Sequence, residues 1–201
     1  MTAARRATAE DLPSLSTTLA LAFVGYPWTD WTVAADDRLR RLNGLFAIDL
    51  RTLGLEFGEV WVAGDGAAVA VRMPPVEAGD EAGGPAGGDN LPADLEREAL
   101  IGDRLPQARE AEALVGARRP REPHWHLAAL GARPDRQGEG LGSLVLGPVL
   151  ERCDEEGIPA YTETSARRNI GFYHRHGFGV VGELKVPDGG PLVWLMRRDP
   201  R

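Results

Sequence analysis

The stretch Arg133-Pro-Asp-Arg-Gln-Gly-Glu-Gly-Leu-Gly-Ser143 constrains this chain more than any other. An apolar run, His126-Leu-Ala-Ala-Leu-Gly-Ala132, precedes it and is short enough for a buried strand. Behind it, Leu141, Leu144, Val145, Pro148, Val149 and Cys153 recur at helical spacing. Glycines 138, 140 and 142 therefore stand where a strand hands over to a helix. Glycine admits φ > 0 and lets a ligand press against the main chain. The first turn of a helix adds N–H groups that have no partner inside it. Such a concave backbone cradle suits an anion, above all a phosphate or pyrophosphate. The plainer alternative is a Gly-rich connection that holds no ligand. The spacing is not that of a P-loop, because no Lys follows the glycines. Nor is it a dinucleotide fingerprint, whose third glycine would come one residue later and nearer the start of a chain.

The rest of the chain supplies a sheet around this turn. Residues 4–8 read as a short strand, with Thr8 or Asp11 as a cap for a helix carrying Leu12, Leu15, Leu19, Ala22 and Phe23. After Gly25 comes an aromatic segment, Tyr26-Pro-Trp-Thr-Asp-Trp31, then a second helix over 36–53. Glu59–Ala63 and Ala67–Arg72 flank Gly64-Asp-Gly66 as a β-hairpin. Residues 74–92 turn abruptly to Gly, Pro, Glu and Asp, the composition of a flexible insertion. Residues 93–117 are helical in pattern and divided by Pro106. A strand at 160–164, a short helix from Asn169 to His176 and two strands, 178–186 and 192–198, complete the order. This alternation predicts one α/β domain over 1–201, with a mixed sheet flanked by helices on both faces.

Composition narrows the partners. The formal net charge of -7 makes nucleic acid and anionic membranes poor partners and suits a cationic amine. The lone cysteine, Cys153, lies on an apolar stripe and reads as a core residue; with no second cysteine, an intrachain disulfide is impossible. No apolar run reaches the length of a membrane span, and Glu10, Asp11 and Pro13 interrupt any leader-like pattern near the start. A cytoplasmic protein, monomer or homodimer, is expected, with no metal site.

Two motifs carry a family resemblance. Gln137-x-x-Gly140-x-Gly142 after a strand resembles the acetyl-coenzyme A signature of the GNAT N-acetyltransferase superfamily. Glu163-Thr-Ser-Ala-Arg-Arg-Asn-Ile-Gly-Phe-Tyr-His-Arg-His-Gly-Phe178 resembles its second signature, an Asn followed by Phe-Tyr and then Gly-Phe opening the next strand. The likeness extends over nearly the whole chain to the puromycin N-acetyltransferase branch, through Glu59–Val71, Pro134–Ser143 and Glu163–Ala166. It departs from that branch at Trp28, Asp30, Trp31, His126 and Gly171, all at the acceptor end.

The resemblance implies the GNAT acyl-CoA N-acyltransferase fold, a mixed, mostly antiparallel sheet. It implies acetyl-CoA as cofactor, with coenzyme A as product, and a small-molecule amine as acceptor, plausibly puromycin or a related aminonucleoside antibiotic. A metabolic amine or amino-acid acetyltransferase, or an acetyl-CoA-binding module without activity, are the alternatives. The pyrophosphate would lie on the main chain of Gly138, Glu139, Gly140, Leu141, Gly142 and Ser143, with Gln137 and Arg136 beside it and Arg133 either there or on a solvated face. Leu130 and Ala132 would pair with the pantetheine amides as an added strand. Asn169 would contact the same arm, unless it caps its helix. Tyr173 would donate to the departing sulfur. His126 and Glu163 are the candidate bases, Glu163 alternatively holding the substrate ammonium, and His124 shares the strand face of His126. Tyr26, Trp28, Asp30 and Trp31 would bind the acceptor, or else the aromatics belong to the core.

Overall fold

The computed structural model describes residues 3–75 and 91–201. Most of the insertion expected at 74–92 lies outside the described residues. Strands β1 (Arg5–Arg6), β2 (Glu59–Ala63), β3 (Ala68–Met73), β4 (Trp125–Ala132), β5 (Ala160–Thr164), β6 (Gly179–Lys185) and β7 (Leu192–Arg198) form one sheet in the order β1-β2-β3-β4-β5-β7-β6. Every pairing is antiparallel except β4 with β5. That mixed sheet is the GNAT architecture expected from the sequence.

Helices cover both faces: successive residues of a strand point to opposite sides, and β3, apolar and buried along nearly its whole length, needs cover on each. On one face, α6 (Leu141–Glu156) and α7 (Arg167–Arg175) pack on Ala68, Ala70, Leu127, Ala160 and Met196. On the other, α1 (Leu12–Phe23) lies on Val60, Val62, Val69 and Val71. Outside α1 pack α3 (Arg38–Asp49), α4 (Leu91–Ile101) and α5 (Leu105–Gly116), and α5 reaches over to Tyr161 of β5. Pro106 falls in the first turn of α5, where its missing N–H costs nothing.

Three details differ from expectation. Residues 27–32 form a further helix, α2 (Pro27–Thr32), opened by Pro27 in its first turn. The second long helix ends at Asp49 and passes into a π-helical turn, Leu50–Leu55. The buried stripe of α6 is rotated: Leu146 and Leu150 are inside with Leu141, Val145, Val149 and Cys153, whereas Leu144 is exposed. A helix on a sheet buries a stripe wider than one ridge, so spacing alone did not select its edge. At the N-terminus both proposed caps act together: the Asp11 carboxylate accepts from the Thr8 amide at 2.8 Å, and the chain enters α1 through a short 3-10 turn.

Candidate active site

The site begins with an irregularity in β4. Opposite β3, Leu127 pairs with Arg72 and Ala129 with Val71, so Ala128 is an extra residue, a β-bulge. Before the bulge, the Trp125 amide donates to Pro159 O on the β5 side. Beyond it, the Arg133 amide donates the other way, to Ala67 O of the β2–β3 hairpin. Alternation then turns the main chain of Leu130 and Ala132 toward β5. Yet β4 and β5 pair only at Trp125–Ala160 and His126–Tyr161. Past that point the strands part, and the main chain of Leu130 and Ala132 lines an opening in the sheet. A ligand chain bearing amides fits there as an added strand.

The glycine turn closes one end of this opening. Gly138 and Gly140 have φ of +85° and +80°, and a Cβ placed on either would meet nothing within 4 Å. The turn is exposed, and the space over its backbone, which only glycine adopts without strain, is open. Leu141 and Gly142 are the first two residues of α6, so their amides have no carbonyl behind them. The donor set and the space fit a diphosphate. Ser143 already has partners: its amide is bonded to Gly140 O at 3.0 Å, and its hydroxyl lies 3.0 Å from His176 Nε2.

The side chains around the turn serve mainly to shape it. Gln137 donates from Nε2 to Ala132 O at 3.1 Å, tying the turn back to the end of β4. Arg136 holds both oxygens of Glu139 at 2.8 Å, and Arg133 holds Asp135 at 2.7 and 3.0 Å. Each guanidinium keeps its carboxylate below the ordinary range through charge-assisted hydrogen bonds. An incoming phosphate would meet four neutralised partners, not two bare acids. Glu139 thus contributes its backbone to the cradle while its side chain is engaged elsewhere.

Tyr173, on α7, is buried against Phe172 and Phe178, with ring centroids 5.4 and 5.5 Å away. Burial, then the nearby Tyr26 and the charge of Glu163, push its phenol well above the usual tyrosine value, against a hydrogen bond with Thr162. It therefore carries its proton at any ordinary pH. Asn169 is not the cap of α7, which begins at Arg167 behind Ala166. Its Nδ2 instead donates to Thr164 Oγ1 at 3.2 Å, at the end of β5 where the strands have parted.

On the opposite face of β5 sits an ionic cluster. His126 Nε2 is 2.7 Å from Glu163 Oε2, and Arg119 Nε donates to Glu163 Oε1 at 2.8 Å. Burial would raise the Glu163 carboxyl, but His126 and Arg119 overcome that and bring it down to about 2. Arg119, Glu163 and His126 thus stand in one hydrogen-bonded line, with the carboxylate ionised at ordinary pH. His124 shares this face as expected: its ring lies 5.4 Å from that of Tyr161, and His126 lies 6.2 Å from it. Burial lowers the His124 imidazole. The Tyr161 hydroxyl is buried without a hydrogen-bond partner among the described residues.

The aromatic segment arrives at the same face. Trp28 and Trp31 of α2 are half-buried against the cluster that contains Tyr161, Leu184 and Val193. The Trp28 amide donates to Ser165 Oγ at 3.0 Å. Tyr26 is buried, its hydroxyl committed to Thr164 and to the Ser165 amide, so it tethers α2 to β5. Asp30, expected to face a cationic acceptor, pairs with Arg38 at 2.7 Å instead. Sequence reasoning missed Arg119, Thr164 and Ser165. Nothing in the Arg118-Arg119-Pro-Arg121 run distinguishes one arginine, and hydroxyls at a strand end carry no pattern. An open groove of about 580 Å³ between α3 and α4, lined by Asp37, Arg40, Asn43, Glu96 and Leu100 among others, shares no residue with either motif. Concavity alone would point away from the chemistry.

Comparison with known proteins agrees with the fold and with the two motifs. Residues 104–178 match the model of the Acetyltransferase (GNAT) family, a span holding both motifs. An uncharacterized N-acetyltransferase of Schizosaccharomyces pombe is 36% identical over 59 residues, 29% of this chain and 24% of that protein. A probable serine/threonine-protein kinase of Dictyostelium discoideum is 32% identical over 80 residues, 39% of this chain and 11% of that protein. The matches thus span about a quarter or less of these curated relatives. The crystal structure of a histone acetyltransferase HPA2 and related acetyltransferase from Corynebacterium glutamicum superposes with a TM-score of 0.74 at 22% identity, over 100% of this chain and 97% of that one. Arylalkylamine N-acetyltransferase 2 from Aedes aegypti gives a TM-score of 0.60 at 11% identity, over 100% and 99%. At these identities the likeness establishes the fold.

Proposed function

We propose, for a chain that has the GNAT fold, matches that family across residues 104–178 and is thereby indicated to be an acyltransferase, that it transfers an acetyl group from acetyl-CoA to the primary amine of a small molecule. The observation that carries this is the coincidence of three features around β5: its parting from β4, the glycine turn at the end of the opening, and the buried Tyr173 of α7, the helix that packs beside β5.

Acetyl-CoA, when bound, supplies the activated acetyl thioester. The amides of the turn from Gly138 to Gly142 hold its diphosphate, each charge-assisted hydrogen bond contributing about 1.5–3 kcal/mol. Leu130 and Ala132 hold the amides of its arm, and a main-chain N–H at the parting of the strands meets the oxygen on which charge develops. Tyr173 donates a hydrogen bond to the sulfur. A thiol has a pKa near 8.5 and an unperturbed phenol one near 10, and burial widens that gap of about 2 kcal/mol or more. Tyr173 therefore stabilises the departing sulfur without surrendering its proton. The proton lost by the amine goes to His126, which Glu163 holds in place. Amine and thioester meet directly, with no covalent enzyme intermediate.

On the acceptor side, Trp28 and Trp31 suit a planar, aminated molecule, and the sequence likeness to puromycin N-acetyltransferases favours puromycin or a related aminonucleoside, so that the activity would confer antibiotic resistance. With Asp30 paired to Arg38, the acceptor meets aromatic surface and the His126–Glu163 pair instead of a free acid, which equally suits a metabolic amine. The net charge favours a protein working away from nucleic acid and membranes, and the single cysteine suits the reducing cytoplasm, where the chain would act as a monomer or homodimer; no helix among the described residues is long and apolar enough to cross a membrane. The test is thiol release from acetyl-CoA across a panel of amines that includes puromycin. Turnover with any amine supports the reading and names the acceptor class. Tight coenzyme A binding with no turnover on any amine would reduce the protein to a binding module.

A further inference from the structure

Arg119, His126 and Glu163 come from three separate segments, the connection after α5, strand β4 and strand β5. They meet in a line: Arg119 Nε to Glu163 Oε1 at 2.8 Å, then Glu163 Oε2 to His126 Nε2 at 2.7 Å. The carboxylate and the imidazole are 13% and 15% exposed, while Arg119, at 44%, closes the line from the solvent side. An ionised carboxylate has acceptor sites only, so the nitrogen that faces it must carry hydrogen. In the neutral imidazole the free lone pair is then on Nδ1. A carboxylate held at one oxygen turns readily about its last torsion, whose wells are broad and two-fold. Held at both oxygens by groups on opposite sides, it cannot turn without breaking one bond.

We propose that Arg119 is a positioning residue: by gripping Oε1 it fixes the Glu163 carboxylate, which in turn fixes His126 as the Nε2–H tautomer with Nδ1 free to take a proton. The catalytic consequence rests on the reading of His126 as the base, whereas the tautomer itself does not. The groups facing His126 are Glu163 and Tyr161 from β5, His124 from its own chain segment, Arg119 behind Glu163, and the uncharged Met73 paired with it on β3. Arg119 and Glu163 oppose one another in charge at the ring. Removing the arginine leaves the carboxylate unbalanced, so the imidazole should bind its proton more tightly.

The experiment compares the whole protein with R119Q and R119K. Nitrogen NMR of the histidine rings, assigned by subtracting the spectrum of H126Q, reads tautomer and titration midpoint. The amine that turns over best supplies kcat and KM across pH. The parent should show the Nε2–H tautomer of His126. R119Q should give a tautomer mixture or a raised midpoint, with kcat about tenfold lower and KM within about twofold. R119K, which keeps the charge but not the planar grip, should fall between. If R119Q leaves the His126 tautomer and midpoint as they were, Arg119 is an ordinary surface ion pair and the proposal is overturned. If R119Q moves them but H126A turns over at the parent rate, Arg119 does position the ring, and it is the base assignment that fails. Should R119Q unfold, R119K carries the same two readouts.

Discussion

The hydroxyl of Tyr26 accepts a 2.8 Å hydrogen bond from the amide of Ser165, 139 residues further along the chain, and lies 3.0 Å from Thr164 Oγ1. One side chain thus ties the start of α2, which carries Trp28 and Trp31, to the end of β5, which carries Glu163. Tyr173 lies close enough for the Tyr26 hydroxyl to raise its phenol. Tyr26→Phe leaves the buried Ser165 amide without its partner. It should cost about 1–3 kcal/mol of folding stability. Chemical denaturation measures this, and coenzyme A affinity should stay within about twofold because the glycine turn is untouched. An unchanged midpoint would mean that the tether is idle.

Gly140 stands at φ +80° with open space where a Cβ would go. In the free protein Gly140→Ala strains only the left-handed backbone, about 1–2 kcal/mol. With a diphosphate in place the methyl group would occupy the ligand's position. Calorimetric titration with coenzyme A should show binding at least about tenfold weaker, equivalent to about 1.4 kcal/mol. Binding at parental strength would remove the turn from the cofactor site.

Tyr173→Phe keeps the ring that packs on Phe172 and Phe178 and removes only the hydroxyl. The turnover number should fall about a hundredfold, the lower end of what one preorganised hydrogen-bond donor to a developing charge contributes. KM for acetyl-CoA should change little. A turnover number equal to the parent's would rule out the hydrogen bond to sulfur.

Glu163 has a folded-state carboxyl near 2, below its ordinary 4.5. A group whose pKa is depressed on folding stabilises the protein above its unfolded value, and that stabilisation is lost as pH falls through the folded one. Stability should therefore decline between about pH 4.5 and 2, the unfolded state taking up the proton first. In Glu163→Gln that part of the acid limb should flatten, as read from melting temperature against pH. An identical acid limb in both proteins would show that the ion cluster adds nothing to folding.

Cys153 is fully buried in α6, and burial raises its thiol to about 11. Because it is the only cysteine, a thiol reagent reports on it without ambiguity. Labelling at neutral pH should be slow in the native protein and fast after denaturation, since the thiolate is the reacting form. Rapid native labelling would mean that α6 opens readily from the sheet.

Much of the frame was legible because it rests on local rules. The glycines at 138 and 140 are read directly, since their backbone conformation is one that other residues resist. Strand β5 and the hairpin over Gly64-Asp-Gly66 follow from apolar runs and turn chemistry. The rotated stripe of α6 and the helix at 27–32 were harder, because the covering partner decides which residues go inside. At the site, Asp30 and Asn169 have the residue types that ligand binding or capping calls for. Their observed partners, Arg38 and Thr164, are set by packing between elements.

By itself the sequence determined the order of the strands, the glycine cradle between a strand and a helix, and the two motifs, one before β5 and one beginning at its end, because each depends on neighbours a few residues apart. Only the tertiary structure decided that an extra residue at Ala128 turns Leu130 and Ala132 into the gap beside β5. It alone decided, too, that Arg119 reaches Glu163 across 44 residues of chain. A bulge and an ion pair are choices of register and approach, and those are set when separate segments pack, where no local spacing can specify them.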